Sequence, residues 1–385
     1  MAMAYTPGLK RKDIFLVRKT RRLPIPGEVI VKKGDKVTHT DTLATTNVPG
    51  NAQLMNCADL LGLLPDDRTG SCDFKQYMLK KEGDKIEKGE MIALKKEFFG
   101  LIKRPLMSPL TGSIELISDS SGQLILREPP VKVNINSYIP GTIAEVIPNE
   151  GATIECIAAF IQGIFGIGGE TFGEIKVMAK SPEEVLSAEQ ITAEYAGKIL
   201  IGGSMVTIEA LQKAVEVGVK GIVVGGIEED TINKFLGYRI GVAITGEEEK
   251  GITLIVTEGF SKMNMSDGTF NLLAKFNGKL ACISGATQIR AGVIRPEIII
   301  PRDDIDEKTI GKIGREDEIP TEGMRPGLPI RIIREPYFGA IGRVSSLPVE
   351  LQIVETESEV RVLEAELANG KKVIVARANV ELIEE

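Results

Sequence analysis

The hydrophobic pattern changes character three times along the chain, and each change predicts a boundary. Up to about residue 175, short runs alternate apolar and polar positions between turn signals, as half-buried β-strands do. From 176 to 300, wholly apolar runs alternate with amphipathic segments of helical period. Short alternating runs return at 327–385, after a charged, weakly apolar stretch at 301–326. We therefore expect a β domain, an α/β domain, a linker and a small β domain.

A repeated motif marks the first domain. Val31–Ala44 reads VKKGDKVTHTDTLA, and Leu79–Ala93 reads LKKEGDKIEKGEMIA. Both copies place a Gly-Asp-Lys turn before a β-branched residue, and glycine supplies the positive φ that such turns need. A weaker copy spans 140–154. The repetition predicts hairpin-like units of one compact β fold, or of two joined ones.

These segments resemble the barrel-sandwich hybrid fold of biotinyl and lipoyl carrier domains, over roughly residues 20–155. A carrier domain also presents a lysine in a set context at a hairpin tip. Lys95 and Lys96 lack that context, so the sequence predicts no covalent biotin or lipoate, and we expect no cofactor.

The N-terminal domain of RnfC-type electron-transport subunits is a second resemblance, because that family follows the same fold with a glycine-rich flavin loop. Gly163–Gly173 is similar in spacing but carries Glu170 and Thr171 where the family has alanine and glycine. A carboxylate there would repel a flavin phosphate. The stretch is therefore interpreted either as a tight crossover, which we favour, or as a ligand loop.

Signals for strands and helices alternate in the α/β domain. Helices are predicted at 206–217 and 230–236, after Ser266, and also from Ser181, where Ser-Pro-Glu-Glu has the form of a helix start. Apolar runs at 198–202, 221–225, 241–245, 252–257 and 280–284 predict the strands of a parallel, Rossmann-like sheet.

Ligands of such sheets bind beyond the carboxyl ends of the strands. The candidate ligand-binding residues there are small, hydroxylated or charged: Gly203, Ser204, Gly226, Thr257, Glu258, Ser284, Thr287 and Arg290. Arg290 would pair with a phosphate or carboxylate. The glycines are therefore interpreted either as short turns between strand and helix, which we favour slightly, or as part of a small-anion or nucleotide site.

The last domain resembles the KOW motif and SH3-like barrel of NusG-type transcription factors. The residues that carry the likeness lie in the loop and strand around Tyr337, Phe338, Gly339, Gly342 and Arg343. The resemblance implies binding of nucleic acid or protein. Residues 327–385, however, contain seven basic residues and ten glutamates, so this segment is net acidic. Binding to the phosphate backbone of nucleic acids needs a positively charged surface. We expect weak nucleic-acid binding at most.

The composition disfavours several kinds of catalytic and metal-binding site. His39 is the single histidine, and the four cysteines have no C-x-x-C spacing, which disfavours His-based catalytic triads and zinc sites. The net charge of −7 and the absence of a long apolar run lead us to expect a cytoplasmic protein without a membrane segment. No catalytic residues or metal ligands stand out.

We therefore expect a non-catalytic binding or adaptor protein that joins a partner protein within a cytoplasmic assembly. The first alternative is a small-anion or nucleotide-binding protein, with or without catalysis, that uses the strand ends. The second is a KOW-type nucleic-acid binder associated with transcription or translation. The oligomeric state stays open.

Overall fold

The computed structural model describes residues 9–63, 72–97, 102–239, 244–246, 248–288, 294–305, 324–333, 336–337, 340–353, 359–367 and 370–384. Most of the predicted linker lies outside these ranges, as do Arg290, Phe338 and Gly339. The described residues are mostly β-strand, with α-helices concentrated in the middle of the chain, so a mixed α/β and β composition is confirmed.

The first part of the chain forms the strands β1 (Leu9–Arg22), β2 (Glu28–Val29), β3 (Lys36–Val37), β4 (Thr42–Val48), β5 (Ala52–Asn56), β6 (Lys85–Ile86), β7 (Met91–Glu97), β8 (Ile102–Met107), β9 (Gly112–Ser118), β10 (Gln123–Arg127), β11 (Val131–Asn136), β12 (Gly141–Ile147) and β13 (Gly151–Gln162), and the short helix α1 (Cys57–Leu61).

The two strong copies of the motif are nested. β4 pairs with β11, and the connection between these two strands holds an inner module, residues 52–127, in which β5 pairs with β10 and β7 with β8. The outer module is formed by residues 28–48 and 131–155. The weak copy at 140–154 supplies β12 and part of β13, so it completes the outer module.

Equivalent hydrogen bonds hold the two Gly-Asp-Lys turns. The Gly34 amide donates to the Ile143 carbonyl at 2.8 Å, and the Gly83 amide donates to the Ile114 carbonyl at 2.7 Å. Both glycines have left-handed φ angles, +90° and +89°. After each turn the next strand pairs with the strand that carries the acceptor, β3 with β12 and β6 with β9. The repeated sequence therefore specifies a repeated local structure.

The aspartates of the two turns are equivalent as well. The Asp35 carboxylate accepts from the Lys32 amide at 2.7 Å, and the Asp84 carboxylate accepts from the Lys81 amide at 2.7 Å. An aspartate that binds a nearby backbone amide stabilises a turn. This bond explains why the motif keeps aspartate next to glycine.

The second part contains β14 (Phe165–Ile167), β15 (Glu170–Val177), β16 (Val185–Leu186), β17 (Ile199–Ile201), β18 (Met205–Val206), α2 (Ile208–Val217), β19 (Gly221–Ile227), α3 (Glu229–Leu236), β20 (Ile244–Thr245), β21 (Thr253–Phe260), α4 (Asp267–Lys275), β22 (Leu280–Ser284), β23 (Thr287–Gln288) and β24 (Glu297–Pro301).

The central strands β15, β17, β19 and β21 are parallel neighbours. β17, β19 and β21 match predicted strands, whereas β15 was not predicted. Of the predicted strand at 241–245, only Ile244 and Thr245 are described, and they pair antiparallel with β23. The expectation of a wholly parallel sheet is wrong at its margins. β22 runs antiparallel to β15, β24 runs antiparallel to β22 and to β13, and β14 runs antiparallel to β21. The sheet thereby continues into the first part of the chain.

Helices cover both faces of the parallel strands. On one face, Leu211 of α2 and Ile232 of α3 pack with a core that includes Ile222 and Leu254. On the other face, Phe270 and Leu273 of α4 share a core with strand residues of β17, β19 and β22. The helix ends follow the sequence signals, because α2 and α3 stop at left-handed glycines.

The helix predicted from Ser181 is wrong. Residues 181–184 form a turn, β16 follows, and a short 3-10 helix, Ala188–Gln190, begins after Ser187. The Ser204 amide donates to the Glu184 carbonyl at 2.8 Å, and β16 pairs in parallel with β18. These tertiary bonds use backbone groups that a helix would have needed.

The third part forms β25 (Pro329–Ile332), β26 (Ile341–Ser346), β27 (Leu351–Ile353), β28 (Glu359–Leu367), β29 (Lys372–Ala376) and β30 (Val380–Glu384). The antiparallel order is β30, β25, β26, β28 and β29, around an apolar core of its own. We call residues 329–384 the terminal module. β1 pairs in parallel with β30, which fastens the module to the first strand.

Candidate functional site

The chain's own loops fill the predicted strand-end site. Ser204 is fully buried, and its hydroxyl donates to the Glu183 carbonyl at 2.7 Å. A Cβ atom at Gly203 would lie 2.4 Å from the backbone of the 181–184 turn. One at Gly226 would lie 2.1 Å from the Ser261 carbonyl oxygen. Glycine at each of these two strand ends therefore allows another backbone segment to pack directly against it, the 181–184 turn at Gly203 and Ser261 at Gly226.

Ser284 and Thr287 lie away from the other strand-end residues, because β22 runs in the opposite direction. Ser284 is paired in register with Glu170 at the start of β15. The Thr287 hydroxyl accepts from the Gly166 amide at 2.9 Å, so the glycine-rich stretch 163–173 packs as strands β14 and β15 against this segment. Arg290 lies outside the described residues.

Thr257 and Glu258 lie in the second half of β21, and Glu258 contacts the N-cap residue of α4. The buried Glu258 carboxylate accepts from the backbone amide of Ser266 at 3.0 Å, and its Oε1 atom lies 3.3 Å from the Thr257 hydroxyl. Ser266 is the N-cap of α4, and its own hydroxyl accepts from the Thr269 amide. Glu258 therefore fixes the start of α4.

Beside Glu258 lies a buried charged cluster that the sequence analysis missed. Arg331 of β25 is 1% exposed, and its Nη1 atom is 4.0 Å from Glu258 Oε2. Glu381 of β30 is also buried and forms a short ion pair with Arg295. Burial lowers the pKa of Arg331, and the two carboxylates oppose that shift. The cluster joins the α/β part to the terminal module.

An arginine inside the apolar run Pro329–Ile332 was the available signal for this cluster. Each strand of the predicted SH3-like barrel should bury one face. Arginine is almost never fully buried unless it is paired, so an arginine on that face would need a partner. In the sequence, Arg331 is one of the seven basic residues at 327–385. Its buried position depends on the contact with β21, which the local sequence does not show.

A cleft of ≈ 960 Å³ opens between the first turn of α4 and the strands β26 and β28. Arg11 of β1 lies on its floor, with Nη1 3.4 Å from the Ser266 hydroxyl. Gly342 and Arg343 also line this cleft. The sequence assigned Glu258 to the strand-end site, and Gly342 and Arg343 to the KOW-like loop. In the structure, both groups lie near this cleft.

The residues of the KOW-like segment have structural partners. The Arg343 guanidinium donates to the Gly327 carbonyl at 3.0 Å, and a Cβ atom at Gly342 would lie 2.6 Å from the Glu366 carbonyl oxygen. Lys371 lies 4.9 Å from the ring centre of Tyr337. Gly342 therefore permits the close pairing of β26 with β28.

Three of the four buried cysteines are poor nucleophiles. Burial raises the pKa values of Cys57, Cys156 and Cys282 to about 12. The His39 ring packs against Phe172, with 4.1 Å between the ring centres. In the part of the chain that the structure describes, no group of three or more His, Cys, Asp or Glu residues could hold a metal ion, and no helix there is long and apolar enough to cross a membrane.

A two-stranded ribbon with apolar side chains projects from the terminal module. It consists of Leu351–Ile353 paired with Glu359–Arg361. Leu351 is 50% exposed, Ile353 is 76% exposed, and Val349 just before the ribbon is 91% exposed. Within the described residues, the outer edge of β27 makes no backbone hydrogen bond. The alternation at 349, 351 and 353 was visible in the sequence but was not singled out.

Comparisons with known proteins leave the family undecided. No protein-family model matches the sequence, and no curated protein matches it.

Proposed function

We propose that this chain is a non-catalytic binding protein that joins a partner protein within a cytoplasmic assembly, and that the ribbon is its docking element. The observation that carries the proposal is the pair of exposed aliphatic side chains of β27, Leu351 and Ile353, beside a strand edge that has no neighbour among the described residues. Exposed aliphatic side chains beside an open strand edge are typical of interaction sites. A partner strand would supply both the missing neighbour and the apolar cover.

The partner we expect is a protein segment in extended conformation that adds to the β27 edge. Strand addition satisfies the free backbone groups, while alternate side chains of the added strand give specificity. Full burial of an aliphatic side chain contributes about 1.5–3 kcal/mol. Loss of both Leu351 and Ile353 should therefore weaken the complex by about 100-fold or more.

The experiment compares tagged wild-type protein, purified from its native cells, with the double variant Leu351→Ser/Ile353→Ser. The matched control is Ile14→Ser/Ile30→Ser, which removes two exposed aliphatic side chains elsewhere. We expect a stoichiometric partner with wild type and control that is lost with the ribbon variant. The purified partner should then bind in titrations with the expected drop in affinity.

Two results would contradict this proposal. The first is a wild-type protein that purifies alone, or whose partners are retained by the ribbon variant. The second is a ribbon-dependent dimer of the chain itself in sedimentation experiments, since the ribbon would then join copies and not serve an adaptor.

We further propose that the two nested modules have the barrel-sandwich hybrid fold and that the terminal module is a KOW/SH3-like barrel. The equivalent hydrogen bonds of the Gly34 and Gly83 turns and the strand order of the terminal module support this. The Lys95 ammonium donates to the carbonyls of Leu61 and Gly62 at 3.1 and 3.0 Å. These bonds favour a structural role for Lys95 over a carrier role.

A further inference from the structure

The strand β5 forms an open edge of the inner module. Its sheet has the order β5, β10, β9 and β6, so β5 has one strand neighbour among the described residues. In an antiparallel pair every second residue directs its amide and carbonyl to the partner strand. The Cys57 amide donates to the Gly122 carbonyl next to β10, so the backbone groups of Ala52 and Leu54 point away from β10. Within the described chain, these outward groups make no hydrogen bond.

The β5 edge lacks the residues that normally prevent the addition of a further strand. Open edges in natural sheets carry charged side chains or proline, which disfavour pairing with another chain. The opposite edge strand of the same sheet, β6, carries Lys85, and β8 carries Lys103, Arg104 and Pro105. In contrast, β5 has the sequence Ala-Gln-Leu-Met-Asn, with no charge and no proline. Its edge is therefore suited to receive another strand.

A row of apolar side chains crosses the outer face of this sheet and ends at the β5 edge. Ile125 is the register partner of both Leu54 and Leu116, so the three side chains lie side by side on one face. Leu54 is 59% exposed, and Leu116 is 46% exposed. Ile125 has an apolar neighbour on each side, whereas Leu54 has such a neighbour on one side only. An added strand that continues the row must therefore place an apolar side chain beside Leu54.

The β5 strand of a second copy of the chain meets each of these requirements. Two β5 strands related by a two-fold axis run antiparallel, so the outward amides of one copy face the outward carbonyls of the other. Such pairing brings a strand against itself, and a charged strand would therefore oppose like charges. The uncharged β5 avoids this repulsion. Leu54 of one copy then lies beside Leu54 of the other, and the two apolar rows become continuous.

We propose that the chain forms a symmetric dimer in which the β5 strands of two copies pair. The pairing joins the two inner modules through one continuous sheet, with four strands from each copy. This interface uses neither the ribbon of the terminal module nor the cleft beside α4. It gives the inserted inner module a role of its own, the assembly of two copies, which the ribbon does not share.

The first test measures the dimer dissociation constant by sedimentation velocity over a concentration series, for the full-length wild type and two variants. Leu54→Pro removes an outward amide, and proline is tolerated on an edge strand where the N–H faces solvent, so the bonds of β5 to β10 should persist. Leu54→Lys brings two like charges together near the two-fold axis. Because symmetry makes each substitution act twice, we expect each variant to weaken the dimer by about tenfold or more.

The matched control is Leu116→Lys, the same change on the same face of the sheet. Leu116 lies in β9, between β10 and β6 and away from the open edge, so this variant should dimerise as the wild type does. Hydrogen exchange followed by mass spectrometry supplies a second readout. In the wild type, exchange of the backbone amides at 52–54 should slow as the protein concentration rises, and in Leu54→Lys it should stay fast. Far-UV circular dichroism checks that each variant is folded.

The proposal is overturned if the wild type stays monomeric at every soluble concentration, or if exchange at 52–54 does not depend on concentration. It is also overturned if Leu116→Lys weakens the dimer as much as the Leu54 variants do, since the copies would then pack face to face. The ribbon variant Leu351→Ser/Ile353→Ser should dimerise normally. Failure of the docking proposal, in which no ribbon-dependent partner is found, can therefore be told apart from failure of the dimer proposal.

Discussion

Exchange of Glu258 for glutamine would remove one charge from the buried cluster and keep the side chain's shape. Two unit charges 4.0 Å apart, as in the pair with Arg331, interact by about 4 kcal/mol at an effective dielectric constant of 20. Removal of one partner of a buried pair typically costs about 3–5 kcal/mol, because the other charge stays buried. Glu381 cannot replace the lost charge fully, since it is bound to Arg295. We expect Glu258→Gln to lower the free energy of unfolding by about 3 kcal/mol.

The double variant Glu258→Gln/Arg331→Met separates charge burial from packing. It leaves no unpaired charge, so it should be more stable than Glu258→Gln alone. Urea unfolding followed by far-UV circular dichroism suits this chain, which has no tryptophan. Glu174→Gln, which breaks the more exposed pair with Lys198, is the control and should change stability by less than about 1 kcal/mol. The reasoning is refuted if Glu258→Gln behaves like this control, or if the double variant is the least stable of the three.

Two further predictions concern the repeated turns and the thiols. Gly34→Ala and Gly83→Ala place alanine at φ near +90° in open space, so each should cost about 1–2 kcal/mol of unfolding free energy, and clearly unequal losses in urea unfolding would contradict the equivalence of the two turns. Because burial raises the pKa values of Cys57, Cys156 and Cys282 from 9.0 to about 12, their thiolate populations at pH 8 fall by about 1,000-fold. These cysteines should react about that much more slowly with Ellman's reagent in the folded protein than in urea, as site-resolved mass spectrometry can check, and fast labelling of the folded protein would contradict the burial argument.

Local signals located the helices of the α/β part well. α2 and α3 end where Gly218 and Gly237 take left-handed conformations, and α4 begins after Ser266, whose hydroxyl accepts from the amide three residues on. Each of these signals acts within one or two helical turns. Such signals can be read from sequence because the partner groups lie in the same short segment.

The pairing of segments that are distant along the chain could not be predicted from the sequence. Ser181 begins a sequence with the form of a helix start, but the backbone of this turn binds Ser204, twenty-odd residues away. The apolar run Leu280–Ser284 was correctly predicted as a strand, yet nothing within it fixes its direction, and its antiparallel course moves Ser284 away from Ser204. Likewise, the similarity of the two motif copies predicts that they form similar turns. It does not predict that the module of the second copy is inserted into the module of the first. The cleft escaped prediction because it needs β1, α4 and β26 together.

The pairing of β1 with β30 has a consequence for synthesis on the ribosome. Leu9 and Ile383 are register partners, although about 370 residues separate them along the chain. At translation rates of about 5–20 residues per second, the edge of β1 that receives β30 waits roughly 20–75 s for its partner. The other edge of β1 can pair with β13 much earlier, because β13 ends at Gln162. The nascent protein should therefore display one open strand edge until late in its production, and this edge is where a chaperone would be expected to bind.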